Sequence, residues 1–248
     1  MNDNKSYIFK ANSPAALAEE YIIKSIWNNT YPPHTYLPAE RELADTIGVT
    51  RTTLREVLQR LAREGWLTIQ HGKPTLVNNI WETGGTSVVE KLFQLDKSMA
   101  PFIIADILSL RTRMSDFYIP KAIKINPEGS LAIFEHLDDL EDTGQAYTEF
   151  DYHVFRSFTV IAEKPVYGLI FNSFKGLYNQ IGGIYFNIPE GRKLARDFYY
   201  SLKNLCQYQD VEKVKECIKV HREQSGMLWN EILSKLQTTK SKKQAGTL

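Results

Sequence analysis

The chain has 248 residues, 43% hydrophobic and 24% charged, with 30 Lys and Arg against 29 Asp and Glu, so its formal net charge is +1. This composition excludes a largely disordered chain, and the length allows two ordinary domains. Since there is no apolar run of about 20 residues and no signal peptide pattern, we expect a cytoplasmic protein without a membrane partner. Cys206 and Cys217 are too few for a disulfide framework, and they lack ligand-spaced partners for a zinc site.

Three helical patterns follow a polar N-terminal segment. Ser13 and Pro14 predict the start of the first helix, because a hydroxyl N-cap precedes proline at the first helical position. A second helix is predicted over residues 39–47 and ends at Gly48, where a left-handed conformation is easiest. Thr50 can cap a third helix. Its apolar stripe, at spacings of three and four residues, consists of Leu54, Val57, Leu58 and Leu61.

The third helix directs polar side chains away from its apolar stripe. Those in its first turns are Arg51, Thr52, Thr53 and Arg55. Two helices joined by a tight turn, the second presenting Arg and Thr, match the geometry that brings base-reading side chains into the major groove. An amphipathic helix with outward arginines is, taken alone, more often an ordinary surface helix.

A basic hairpin follows the third helix. Residues 66–69 and 75–77 predict two short strands around a turn that contains His71, Gly72 and Lys73. Glycine lets the tip of such a wing approach a backbone closely, so His71 and Lys73 can meet a phosphate or the minor groove. Although the net charge is small, residues 50–73 contain five Lys and Arg against two Glu. The ordered set of helices and basic wing therefore favours DNA binding.

The remaining chain shows helical patterns and no alternating strand pattern. The predicted fold class is mainly α, a winged helix-turn-helix of three helices and a β-hairpin wing, followed by an all-helical bundle of about seven helices. The predicted segments are a flexible tail (1–12), the DNA-binding domain (13–79), a linker with a short helix (80–100), a helical regulatory domain (101–237) and a flexible tail (238–248).

Several polar residues fall on helix faces that are otherwise apolar. Arg111 lies in the middle of one stripe and Asp151 on another, so the two form either a structural pair, a ligand site, or both. A later helix over residues 167–185 carries tyrosines on its apolar side, and His221 lies on the stripe of the last helix. The predicted ligand-binding residues are Arg111, Tyr178, Tyr185, Arg222, Ser225 and Trp229. Polar groups within an apolar shell are typical of small-molecule pockets, although satisfied core residues give the same pattern.

The N-terminal segments LPAERELA (37–44), GVTRTTLREVL (48–58) and EGWL (64–67) resemble the signature of the GntR family of bacterial regulators. The resemblance implies that operator DNA is contacted by Arg41, Arg51, Thr52, Thr53 and Arg55, and that His71 and Gly72 reach the minor groove. Thr50 and Lys73 complete the predicted DNA-binding set. No common catalytic or nucleotide-binding motif is present, so we predict that the chain is not an enzyme.

Within the family, residues 14–81 and, more weakly, parts of the helical region are similar to the regulators of fatty-acid metabolism. This resemblance implies a homodimer that represses fatty-acid degradation genes, activates unsaturated fatty-acid synthesis genes, and leaves its operator when it binds long-chain acyl-CoA. It also implies a small residue where Arg222 stands.

Other family members hold a metal through an Asp, a His four residues later, and two further histidines. Here Phe155 follows Asp151 at that spacing, and only His221 remains of the later pair, so we expect no metal cofactor. The alternatives to acyl-CoA regulation are a GntR-type repressor that responds to a different small organic acid, and a helical enzyme, for which no nucleophile–base pair is visible.

Overall fold

The computed structural model describes residues 13–96 and 98–245 of the chain. The chain divides into two compact units, Met1–Leu95 and Asp96–Leu248, which we call the N-terminal and C-terminal units. The tail predicted at residues 1–12 and the last three residues of the tail predicted at 238–248 lie outside the described residues. No helix in the described part of the chain is long and apolar enough to cross a membrane.

The N-terminal unit contains a helix-turn-helix and a short hairpin. Its elements are α1 (Pro14–Trp27), α2 (Glu40–Ile47), α3 (Arg51–Arg63), β1 (Leu67–Thr68), β2 (Leu76–Val77), α4 (Ile80–Thr83) and α5 (Thr86–Leu95). The Ser13 side chain accepts a hydrogen bond from the amide of Ala16, and that of Thr50 accepts one from the amide of Thr53. Gly48 ends α2 with a left-handed φ of 80°. The predicted fold class is confirmed for this unit.

The core of this unit forms around α3, against which α1, α2 and β1 pack. Its predicted apolar stripe is buried, together with Ile22, Leu43 and Trp66. β1 and β2 are antiparallel, with Leu67 opposite Val77. Gly65 connects α3 to the hairpin with a φ of 92°, and a Cβ at this position would lie 2.3 Å from the carbonyl oxygen of Thr83. Only glycine fits this close approach.

The described part of the C-terminal unit contains seven helices, as the sequence predicts. They are α6 (Ala100–Ile125), α7 (Pro127–Ala132), α8 (Gly144–Ile161), α9 (Pro165–Ser173), α10 (Lys175–Phe186), α11 (Pro189–Tyr208) and α12 (Val211–Ala245). α8 packs against five other helices, which are α6, α7, α9, α10 and α11. α12 packs against α6 and α11.

Two details of the helices differ from the sequence prediction. Residues 167–185 do not form one helix, because α9 ends at Ser173 and α10 begins at Lys175, with Phe174 between them. Gly176 follows this break, and a glycine within a helix destabilises the helix by about 1 kcal/mol relative to alanine. α12 continues to Ala245 and so includes residues 238–245, which were assigned to a tail. Lys, Gln and Ala in this stretch are good helix formers, and the next glycine is Gly246.

Candidate functional site

The outer surface of α3 carries the side chains that sequence analysis assigned to base reading. Arg51, Thr52 and Arg55 are exposed, whereas the Thr50 and Thr53 hydroxyls lie 2.9 Å apart at the helix cap. The Arg55 Nε donates a hydrogen bond to Glu40 Oε2 on α2 at 2.5 Å. Because these two side chains are 68% and 39% exposed, their ion pair is weakly held and Arg55 can exchange it for another partner.

Two other predicted elements of the DNA-binding surface are also exposed. Arg41 lies on the outer side of α2, and among the described residues it has no ion-pair partner. At the tip of the wing, the Lys73 amide donates to the Gln70 carbonyl at 3.2 Å, which closes a turn around His71 and Gly72. Gly72 has a φ of 71°, with open space where a Cβ would be. The tip is therefore free to approach a large partner.

An ion-pair network that sequence analysis missed supports the far end of α3. Glu19 on α1 bonds to both Arg60 on α3 and Lys91 on α5, and Lys91 Nζ lies 3.3 Å from Glu64 Oε2. Burial opposes ionisation of Glu19, but its hydrogen bonds and the two positive charges outweigh burial and lower its pKa. The partners are up to 72 residues apart, so no local sequence signal indicates them.

The C-terminal unit encloses a small cavity of about 40 Å³ among α6, α8, α10, α11 and α12. Five of the six predicted ligand-binding residues line it, namely Arg111, Tyr178, Tyr185, Ser225 and Trp229. A wider groove of about 600 Å³ lies between α6 and α12, and Arg111, Ser225 and Trp229 line both spaces. We call this second space the α6–α12 groove. Arg222 lines the groove and not the cavity.

A charged network forms one wall of the cavity. Arg111 Nη1 lies 2.9 Å from Asp151 Oδ2 and donates to the Tyr178 hydroxyl at 3.1 Å. The Tyr178 hydroxyl donates to the same carboxylate oxygen, and the Tyr199 hydroxyl donates to Asp151 Oδ1 at 2.6 Å. The Phe155 ring lies 3.9 Å from the Arg111 guanidinium carbon, so this aromatic residue contributes a cation–π contact.

The protonation states in this network are fixed by burial and charge. Burial opposes the charged form of Arg111, but the Asp151 carboxylate outweighs it and the pKa of Arg111 lies above its usual value. Burial, with the negative charge of Asp151, raises the pKa of Tyr178 and of Tyr199 well above the usual value. Arg111 is therefore charged and both tyrosines are neutral near pH 7. Arg111 both pairs with Asp151 and lines the cavity.

A second group of lining residues is aromatic or uncharged. The Tyr185 hydroxyl donates to Ser225 Oγ at 3.3 Å, and the Tyr185 ring stacks on Trp229 with centroids 5.1 Å apart. His221 Nε2 lies 3.4 Å from Ser225 Oγ, and its ring stacks on Phe198 at 4.0 Å. Burial and the nearby Arg111 lower the pKa of His221 to about 3, so the ring is neutral near pH 7.

Tyr199 is the main residue of the network that sequence analysis missed. It lies on the buried stripe of α11 with Ala195, Leu202 and Cys206, so its burial was visible in the pattern but its bond to Asp151 was not. Within residues 13–96 and 98–245, no group of three or more His, Cys, Asp or Glu residues is arranged to hold a metal ion. The absence of a metal cofactor stays a prediction.

Comparison with known families agrees with this two-part architecture. Residues 14–77 match the bacterial regulatory proteins of the gntR family, and residues 78–240 match the FadR C-terminal domain. The chain belongs to the GntR family. Two relatives of this GntR chain, each named fatty acid metabolism regulator protein, come from Pasteurella multocida (strain Pm70) and Haemophilus influenzae (strain PittGG). The first is 59% identical over 92% of this chain and 94% of its own length, and the second is 54% identical over 94% and 97%.

A solved structure of Lar, which controls expression of the Listeria monocytogenes agr system, has a similar fold. Its TM-score is 0.55 at 16% identity, covering 88% of this chain and 96% of that one. Since the homologues of this GntR-family chain are transcription regulators, the chain is a transcription regulator, and the prediction that it is not an enzyme is confirmed.

Replacing Tyr199 by Phe tests the charged network. The variant loses a hydrogen bond to a buried carboxylate, so we expect the free energy of unfolding in urea to fall by about 1.5–3 kcal/mol. Tyr200→Phe is the matched control, because its hydroxyl makes the same kind of bond, to Asp138 at 2.6 Å, on the protein surface. Equal losses in the two variants would contradict the assigned importance of the buried bond.

Proposed function

We propose that the chain is a cytoplasmic homodimer that binds double-stranded operator DNA through its N-terminal unit and leaves the DNA when long-chain acyl-CoA binds the C-terminal unit. In this proposal it represses genes of fatty-acid degradation and activates genes of unsaturated fatty-acid synthesis. The relatives named fatty acid metabolism regulator protein, which align over more than nine-tenths of the chain, support this metabolic role.

The DNA-binding half of the proposal rests on exposure and charge. Arg51 and Arg55 lie on the exposed surface of a helix whose opposite side is buried, which is the requirement for entering a major groove. In this proposal Arg41, Thr50 and Thr53 contribute further contacts to the operator. His71, Gly72 and Lys73 are suited to the minor groove, because the wing tip is narrow, basic and unobstructed.

The effector half rests on one observation: five of the predicted residues, from α6, α10 and α12, converge on a single cavity that adjoins a large, mainly apolar groove. The cavity holds about 40 Å³, which is little more than one water molecule and too small for a long acyl chain. The acyl chain would therefore pass from the α6–α12 groove into the cavity, which requires α6 and α12 to separate. A ligand that fits only the separated arrangement shifts the protein towards it, which provides a switch.

The same contacts argue against the alternative, a small organic acid as effector. Arg111 is the cation that lines the cavity, and its guanidinium is already paired with Asp151 and bonded to Tyr178, so a small carboxylate gains little there. Other family members hold a carboxylate through a metal ion. The proposal includes no metal, because Phe155 stands where those proteins have a histidine ligand and has no ligating atom.

Base reading is tested by replacing Arg51 with Ala. We expect the preference for a selected operator over a scrambled duplex to fall by about 1–3 kcal/mol, because a bidentate contact from arginine to guanine is lost. Fluorescence anisotropy with both duplexes measures this. Lys24→Ala is the control, since it removes an exposed positive charge on α1 that is paired with Glu20. An unchanged preference in Arg51→Ala would contradict the assignment.

Effector response is tested by a gel-shift titration with oleoyl-CoA. We expect oleoyl-CoA to release the parent protein from operator, and Trp229→Ala and Ser225→Asn to need higher concentrations while still binding operator. Met227→Ala is the matched control on α12, because its side chain is 68% exposed and does not line the cavity. Release by a short-chain organic acid in place of oleoyl-CoA would instead support the alternative.

A further inference from the structure

Arg222 and Asp116 form an ion pair across the α6–α12 groove. Arg222 Nη1 on α12 donates to Asp116 Oδ2 on α6 at 2.6 Å, and both residues line the groove. Their side chains are 41% and 40% exposed. The pair therefore lies at the rim, where water screens it and either partner can exchange its contact.

The interior of the groove differs from this rim. Its apolar lining includes Ile104, Leu108, Phe198, Ile218, Trp229 and Leu233. Arg113 is a second exposed arginine on the lining, and its Nε donates weakly to Ser109 Oγ at 3.4 Å. A groove with an apolar interior and two arginines at its rim is suited to an amphiphile that has an apolar chain and an anionic headgroup.

We propose that Asp116 is an internal competitor for that headgroup. This inference rests on the proposed function and adds a selectivity device to it. In the ligand-free protein the Asp116 carboxylate is paired with the Arg222 guanidinium. When acyl-CoA binds, one of its phosphates replaces the carboxylate. Arginine binds phosphate and carboxylate through the same planar pair of donors, so the two anions compete for one position.

The competition makes the groove selective for charge. A headgroup with several phosphates carries enough negative charge to replace the single carboxylate of Asp116. An uncharged thioester with the same acyl chain gains nothing from Arg222 and leaves the ion pair in place. Arg222, where the family resemblance implies a small residue, thus gives this chain a phosphate contact for which Asp116 competes.

Isothermal titration calorimetry on the full chain tests this competition. The ligands are oleoyl-CoA and the oleoyl thioester of N-acetylcysteamine, which lacks phosphates. We expect Asp116→Asn to bind oleoyl-CoA several-fold more tightly than the parent, and Arg222→Ala to bind it about tenfold more weakly, because a charge-assisted contact is lost. The double variant should bind like Arg222→Ala, and the neutral thioester should bind all four proteins alike.

Glu216→Gln and Lys219→Ala are the matched controls, because they break an exposed ion pair of 3.6 Å on α12 that does not line the groove. They should leave both affinities unchanged. If the parent binds oleoyl-CoA but Asp116→Asn and Arg222→Ala bind it equally well, the competition is wrong while the proposed function stands. Equal tightening for the neutral thioester in Asp116→Asn would also contradict it. Failure of the parent to bind oleoyl-CoA would overturn the proposed function and this inference together.

Discussion

The Arg111 guanidinium lies beside the cavity of the C-terminal unit, and its charge determines which residues can surround it. An uncompensated charge removed from water costs several kcal/mol, so a nearby anion and further hydrogen bonds are required. Asp151, which is 1% exposed, supplies the anion, and Tyr178 and Tyr199 supply the bonds that its carboxylate needs. These four residues lie on α6, α8, α10 and α11, so their bonds connect four helices.

The same arrangement bears on the switch that we propose for the helical unit. A purely apolar cavity lining would tolerate many packings, whereas a charged pair with directional bonds tolerates few. Arg111 and Trp229 line both the small cavity and the α6–α12 groove, so widening one space alters the other. In the proposed function, binding of the acyl chain separates α6 from α12. The binding free energy must then offset the loss of contacts between these two helices.

Sequence reasoning recovered the features that are encoded locally. The caps at Ser13 and Thr50 and the left-handed Gly48 follow from short-range chemistry, and the buried stripe of α3 follows from periodicity. The sequence also allowed us to predict that five residues line one cavity, because each is a polar or amphipathic residue on an apolar helix face. The remaining features depend on partners distant in sequence. Asp116 is 106 residues from Arg222, and nothing local to either residue indicates their pairing.

The central claim is that a long acyl chain occupies the space among α6, α10 and α12 by enlarging the present cavity. A crystal structure of the complex with oleoyl-CoA tests this most directly. The account predicts the acyl chain between these helices, in contact with Trp229, and a cavity several times larger than about 40 Å³. An acyl chain bound elsewhere on the molecule, with the cavity and the contacts of Arg111 unchanged, would contradict it.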